Sequence, residues 1–190
     1  MRIIAGRLKG RRLEAPDWAG LRPTSDKLRE TLFNVLAPRM DGARVLDGYA
    51  GTGAVGIEAI SRGAAHVTFV ERDPRAVRLI EGNLERCGVR RPPSGSHTPD
   101  GPYAIIRAGF VPAAERLAGA AFDVIFLDPP YGAEELTTAL DRAAPLVGSG
   151  TLLVLEHARR DATPGACGGL ARTRELVSGD SALAFYSLVE

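Results

Sequence analysis

From residue 43 to residue 157 the chain alternates short strand-forming runs with segments of helical period, and this alternation restricts the fold more than any other feature. ARVLDGYA, HVTFVE, YAIIRA, FDVIFLD and GTLLVLEH read as strands, while GAVGIEAISRG, PRAVRLIEGNLERCG, VPAAERLA and AEELTTALDRAAPL read as helices. Pro74 opens the second helix of the series, and Gly63 and Gly88 close two of them. A helix between two strands returns the chain to the end where it started, so neighbouring strands run parallel with helices on both faces. The tail, ARTRELVSG followed by DSALAFYSLVE, reads as two strands joined by a tight turn that add antiparallel pairing at one edge. The expected fold is α/β: a doubly wound, Rossmann-like, mostly parallel seven-stranded sheet.

Ahead of this series, LRPTSDKLRETLFNVLAP places Leu28, Leu32, Val35 and Leu36 at helical spacing, with Thr24 as the expected N-cap and Pro38 as the stop. Residues 1–20 carry Ile3, Leu8 and Leu13 separated by Gly6 and Gly10, the pattern of a β-hairpin arm. RRPPSGSHTPDGP, residues 90–102, has no periodicity and reads as a surface loop. A length of 190 residues with 45% apolar composition suits a single domain, 1–190, to which residues 1–20 are an appendage. Charges interleave the N-terminus and no window approaches a membrane span, so a cytoplasmic protein without membrane contact is expected. Cys87 and Cys167 are far apart and His66, His97 and His157 are scattered, which suggests neither a disulfide framework nor a metal site.

The net charge of +1 conceals a segregation: residues 1–29 hold eight Lys/Arg against three acids, a balance of +5 against −4 elsewhere. Arg2, Arg7, Lys9, Arg11, Arg12, Arg22, Lys27 and Arg29 form the set expected of a surface that neutralises nucleic-acid phosphates, with a merely solvated basic face as the alternative.

Ligands of doubly wound sheets bind beyond the carboxyl ends of the strands. The first such end is VLDGYAGTGAVGIEA, where Gly51 and Gly53 allow close backbone approach and Asp47 supplies a carboxylate. Glu71 ends the next strand at the spacing of a ribose-binding acid. A carboxylate at Asp47 would repel a pyrophosphate but suits an ammonium, so S-adenosylmethionine fits better than NAD, the cofactor of the runner-up oxidoreductase reading. The second informative end is Asp128-Pro129-Pro130-Tyr131. Neither proline has an N–H and each holds its predecessor extended, which leaves a site rich in acceptors and poor in donors. Such a site orients the exocyclic amine of a nucleobase, with Asp128 and a carbonyl near Pro129 accepting its two hydrogens and Tyr131 stacking on a base turned out of its helix.

RIIAGRLKGRRL, LRPTSDKLRETLFNVL, LDGYAGTGAVGIEAISRGA, FVERD and FDVIFLDPPYG, in that order over residues 2 to 132, resemble the RsmD-type bacterial methyltransferases that modify guanine N2 in small-subunit ribosomal RNA. The resemblance implies a class I methyltransferase fold, S-adenosylmethionine as donor with S-adenosylhomocysteine as product, and 16S rRNA in a partly or fully assembled small subunit as substrate. It further implies that Asp47, Ala50, Gly51 and Gly53 line the methionine part of the donor, that Glu71 takes the ribose hydroxyls, and that Asp128, Pro129, Pro130 and Tyr131 hold the target base. The arm and the LRPT segment would help hold RNA and close the donor site, and the protein would act as a monomer. Two residues depart from the family pattern: Gly48 stands where a bulkier residue is usual, and Gly109 where an Asp or Asn commonly meets the adenine. Methylation of DNA adenine or of a protein amide, and a non-catalytic role in ribosome assembly, remain alternatives that explain fewer of these stretches.

Overall fold

The computed structural model describes residues 1–18, 24–90, 101–130 and 132–189. Arg22, Tyr131 and residues 91–100 of the expected loop lie outside the described residues. The elements follow the expected alternation: α1 (Asp26–Leu36), β1 (Arg44–Asp47), α2 (Ala54–Ser61), β2 (His66–Glu71), α3 (Pro74–Arg86), β3 (Tyr103–Arg107), α4 (Phe110–Arg116), β4 (Val124–Leu127), α5 (Ala133–Ala143) and β5 (Leu152–Ala158). Three further strands close the sheet: β6 (Ala166–Cys167), β7 (Leu170–Ser178) and β8 (Ser181–Leu188). The strand order is β3-β2-β1-β4-β5-β8-β7-β6, parallel from β3 to β5 and antiparallel beyond. Eight strands replace the expected seven because the two-residue β6, too short to show a period, pairs with the start of β7.

Both faces of the sheet are covered, and the side-chain alternation shows how. Val45, Val67, Phe69, Val124, Phe126 and Val154 pack with α1, α2 and α3. Their neighbours Leu46, Val70, Ile125, Leu127, Leu153 and Leu155 pack with α4 and α5. Central strands buried on both sides therefore read as continuous apolar runs. No helix among the described residues is long and apolar enough to cross a membrane. At α1, Ser25 caps the helix by accepting from the Leu28 amide; the expected cap, Thr24, donates to Glu156 instead.

The arm departs from a hairpin of strands. It has one antiparallel bridge, Arg2 with Arg12, reinforced by Ile3 N–H to Arg11 O and Gly10 N–H to Ile3 O, each at 2.9 Å. Four further amides are drawn out of the arm by α2: Ile4 and Ala5 donate to the two oxygens of Glu58 at 2.8 and 2.9 Å, Arg7 to Ser61 O at 2.8 Å and Leu8 to Ser61 Oγ at 2.9 Å. Gly6, at φ +80°, makes this approach possible, since a Cβ there would lie 2.0 Å from Ser61 O. Ile3 and Leu13 join the core beneath.

Arg29 does not belong to the phosphate-contacting surface expected of it. Its side chain is fully buried, donates to Arg2 O at 2.8 Å and Asp26 at 2.6 Å, and stands 3.7 Å from Glu58. Removing the Glu58 carboxylate takes a counter-charge from that buried guanidinium and leaves three donors, the Ile4 and Ala5 amides and Arg62 Nε, without their acceptor. Glu58→Ala is predicted to lower stability by about 3 kcal/mol in denaturant melts and to expose the Arg7–Lys9 segment to trypsin in the native protein.

Candidate functional site

The carboxyl ends of β1, β2 and β4, with the loops that follow them, open into one cavity of about 650 Å³. Its walls include Asp47, Ala50, Gly51, Glu71 and Gly109 from one group of expected residues and Asp128, Pro129 and Pro130 from the other. The two groups meet because β1 and β4 are paired neighbours, with Asp47 opposite Phe126, so their ends lie side by side.

After β1 the chain turns through Gly51 at φ +53° and Gly53 at φ +76°, conformations that favour glycine, before entering α2. The turn is held by Gly48 N–H to Phe126 O at 2.8 Å and Ala50 N–H to Val70 O at 3.0 Å. Gly53 donates to Ala50 O and starts α2 rather than lining the cavity; a Cβ on it would meet Ile80 at 3.2 Å. Glu71 is fixed by three amides: Gly51 at 2.9 Å on Oε2, and Arg72 and Asp73 at 2.8 Å on Oε1. Oε2 retains capacity for a ligand hydroxyl, and the bond from Gly51 ties the turn to the end of β2.

Asp47 is 1% exposed and accepts from the Gly56 amide at 3.0 Å. Burial raises its carboxyl pKa to about 7, with Glu71 adding to the rise and the Gly56 bond opposing it. A buried carboxylate in that condition suits a cationic partner, whose charge would offset the desolvation. Asn83, buried as well, donates to Thr52 O at 3.0 Å and to Glu14 O at 3.2 Å while accepting from Glu14 N–H at 2.7 Å, so one side chain joins the arm to the turn.

The departures at Gly48 and Gly109 have physical counterparts. A Cβ on Gly48 would stand 2.5 Å from Leu127 and 2.9 Å from Phe110, so the Phe110 ring occupies the space of a larger residue there. That ring also supports Tyr49, centroid to centroid 5.2 Å. Gly109 precedes α4 in an extended conformation, with nothing nearer to an added Cβ than Pro112 at 3.9 Å. The wall from Ala108 to Pro112 thus has no side-chain hydrogen-bonding group.

The cavity also includes residues that motif reading passed over: Thr24, Tyr49, Arg72, Glu134, Glu135 and Thr138. Tyr49 sits inside the DGYAG turn, and Glu134 and Glu135 come two and three residues after DPPYG, so adjacency to the motifs was the available signal. Among the basic residues, Arg2, Arg7, Lys9, Arg11, Arg12 and Lys27 are exposed, outside the cavity.

A family model described as conserved hypothetical protein 95 matches residues 1–187. The chain belongs to that family. Among its relatives, ribosomal RNA small subunit methyltransferase D of Escherichia coli strain K12 is 34% identical over 190 residues, covering 98% of this chain and 89% of its own. YlbH of Bacillus subtilis strain 168 is 38% identical over 189 residues, 98% of each chain. The solved structure of yhhF from Escherichia coli superposes with a TM-score of 0.81 at 31% identity, covering 99% of this chain and 97% of that one. The fold is that of the class I methyltransferases, and the RIIAG segment of this chain is bonded to α2.

The raised carboxyl of Asp47 gives a signed pH dependence. The unfolded chain ionises this group near its ordinary value of 3.8 and the folded chain near 7, so folding stability falls as pH rises between those values and stays reduced above them. Asp47→Asn keeps an acceptor for Gly56 and cannot ionise. Thermal and denaturant melts are predicted to show the variant gaining stability over the parent as pH rises from 4 to 7, by about 3 kcal/mol. Calorimetric titration of S-adenosylmethionine into the parent is predicted to show affinity rising with pH up to about 7, a dependence absent in the variant, which binds more weakly.

Proposed function

We propose that this chain transfers a methyl group from S-adenosylmethionine to the exocyclic N2 of a guanine in small-subunit ribosomal RNA. The observation that carries the reading is the placement of Asp128-Pro129-Pro130 on the wall of the same cavity as Asp47 and Glu71. The name of the Escherichia coli relative supports ribosomal RNA as the substrate class.

The residues present fit the donor. Asp47, whose burial disfavours its own charge, is matched to the methionine ammonium, and Glu71 to the ribose hydroxyls. Gly51 leaves room for close backbone approach, and Tyr49 and Ala50 complete the wall. When bound, S-adenosylmethionine supplies an electrophilic methyl on a sulfonium. Everything else in the reaction falls to the chain. The Asp128 carboxylate accepts one hydrogen of the guanine amine and the Pro129 carbonyl the other, which turns the nitrogen lone pair away from the ring and toward the methyl. As the N–C bond forms and the S–C bond breaks, the nitrogen becomes cationic, and Asp128 stabilises that charge before one proton leaves through it. Tyr131 is assigned to stacking on the base, and the exposed Arg2, Arg7, Lys9, Arg11, Arg12 and Lys27 to phosphates of the RNA. A single catalytic domain acting as a cytoplasmic monomer on an assembled or partly assembled small subunit accounts for these features together.

Asp128→Ala is predicted to reduce methyl transfer to small subunits by at least about 100-fold, while calorimetry shows S-adenosylhomocysteine binding within about twofold of the parent. Turnover equal to the parent contradicts the assignment. Replacing Arg7, Lys9, Arg11 and Arg12 with glutamine is predicted to weaken RNA binding and to reduce the slope of log affinity against log salt by up to about four. An unchanged slope in filter-binding assays removes the arm from the RNA contact.

A further inference from the structure

Asp128 cannot by itself tell guanine from adenine, since each base presents an exocyclic amine and Asp128 accepts from the amine. The discriminating atoms lie beside it. Reading along the Watson–Crick edge from the amine, guanine offers donor, donor, acceptor (N2–H, N1–H, O6), whereas adenine offers a donor, then the N1 lone pair, then a C–H. A guanine-selective cavity therefore needs a second acceptor next to Asp128 and a neutral donor beyond it. Glu135 and Tyr49, both on the wall of the cavity that holds Asp128, carry an acceptor and a donor of that kind.

Glu135, in the first turn of α5, lines the cavity that holds Asp128 and the two prolines. Its carboxylate is folded back over Gly132: a Cβ at that position would lie 2.3 Å from Glu135 Oε2, and Gly132 stands at φ +136°, so the missing side chain is what leaves the carboxylate room there. Tyr49 reaches the same cavity from the turn after β1, its ring held against Phe110. Its hydroxyl feels the charges of both Glu135 and Arg72, and burial pushes its pKa up to about 12, so it stays a neutral donor at any ordinary pH.

We propose that Glu135 and Tyr49 read the target base: the Glu135 carboxylate accepts from guanine N1–H beside the amine held by Asp128, and the Tyr49 hydroxyl donates to O6. This proposal rests on the guanine-N2 reading above and deepens it. Adenine in the same pose would set its N1 lone pair against the Glu135 carboxylate and leave Tyr49 without an acceptor, so exclusion comes from repulsion as well as from lost bonds.

The test uses small subunits reconstituted with RNA carrying either guanine or 2-aminopurine at the methylated position. 2-Aminopurine keeps the exocyclic amine and lacks both N1–H and O6. The parent enzyme is expected to favour guanine by roughly 100-fold or more in kcat/KM. Glu135→Ala is expected to slow guanine and leave 2-aminopurine near the parent rate, so the ratio falls at least about tenfold. Glu135→Gln, which keeps an acceptor oxygen, is expected to fall between the two. Tyr49→Phe is expected to lower the same ratio in an independent variant that preserves the ring packing. Equal losses on both substrates, or none on either, overturn the proposal. If the parent leaves guanine unmethylated in the reconstituted particle, the guanine-N2 reading itself fails and the proposal with it.

Discussion

A carboxylate taken out of water must be matched by donors or cations, and Glu58 is matched by the parts of the chain least expected to cooperate. Its oxygens collect the amides of Ile4 and Ala5 and the guanidinium of Arg62, with Arg29 beside them. Because Glu58 lies on α2, the helix that follows the glycine turn, the same charge that holds the arm also fixes the helix beneath the cavity. Asn83 makes a second tie from Glu14 to Thr52 in the turn itself. The arm is thereby a wall support for the site, and its outward cations are carried on a rigid base.

Asp47 shows the opposite arrangement. It is as buried as Glu58 but has a single amide from Gly56 to offset its charge, and its carboxyl is raised toward neutral pH accordingly. Glu58 is matched within the fold, while Asp47, on the cavity wall, is assigned by the proposed function to a ligand cation. Destabilisation at a binding site, relieved only when the partner arrives, is a common cost of function.

The alternation of strand and helix was legible because sheets buried on both faces leave continuous apolar runs, and these set the strand order around Asp47 and Asp128. The glycine turn at 51 and 53 and the acid that ends β2 were legible through spacing as positions in the fold, but spacing did not show that Gly53 starts α2 rather than lining the cavity. The arm was not, since Ile4, Ala5 and Arg7 bond to α2 residues more than fifty positions away, and local alternation cannot show whether an amide pairs within its own hairpin or with a distant helix. Arg29 misled for a related reason: charge composition places an arginine on the surface unless its partners are known, and two of those partners, Arg2 O and Glu58, are distant in sequence. Glu135 and Tyr49 could be seen next to the motifs, but only the shared cavity joins them to Asp128.

We propose methyl transfer to a guanine amine of ribosomal RNA in the cavity between the ends of β1 and β4. The most direct measurement incubates the purified protein with methyl-deuterated S-adenosylmethionine and small subunits from cells lacking it, then digests the RNA to nucleosides for mass spectrometry. Label is expected in N2-methylguanosine, about one per particle when the reaction is complete, and none with the Asp128→Ala variant. Label in N6-methyladenosine, in ribosomal protein, or in no product would contradict it.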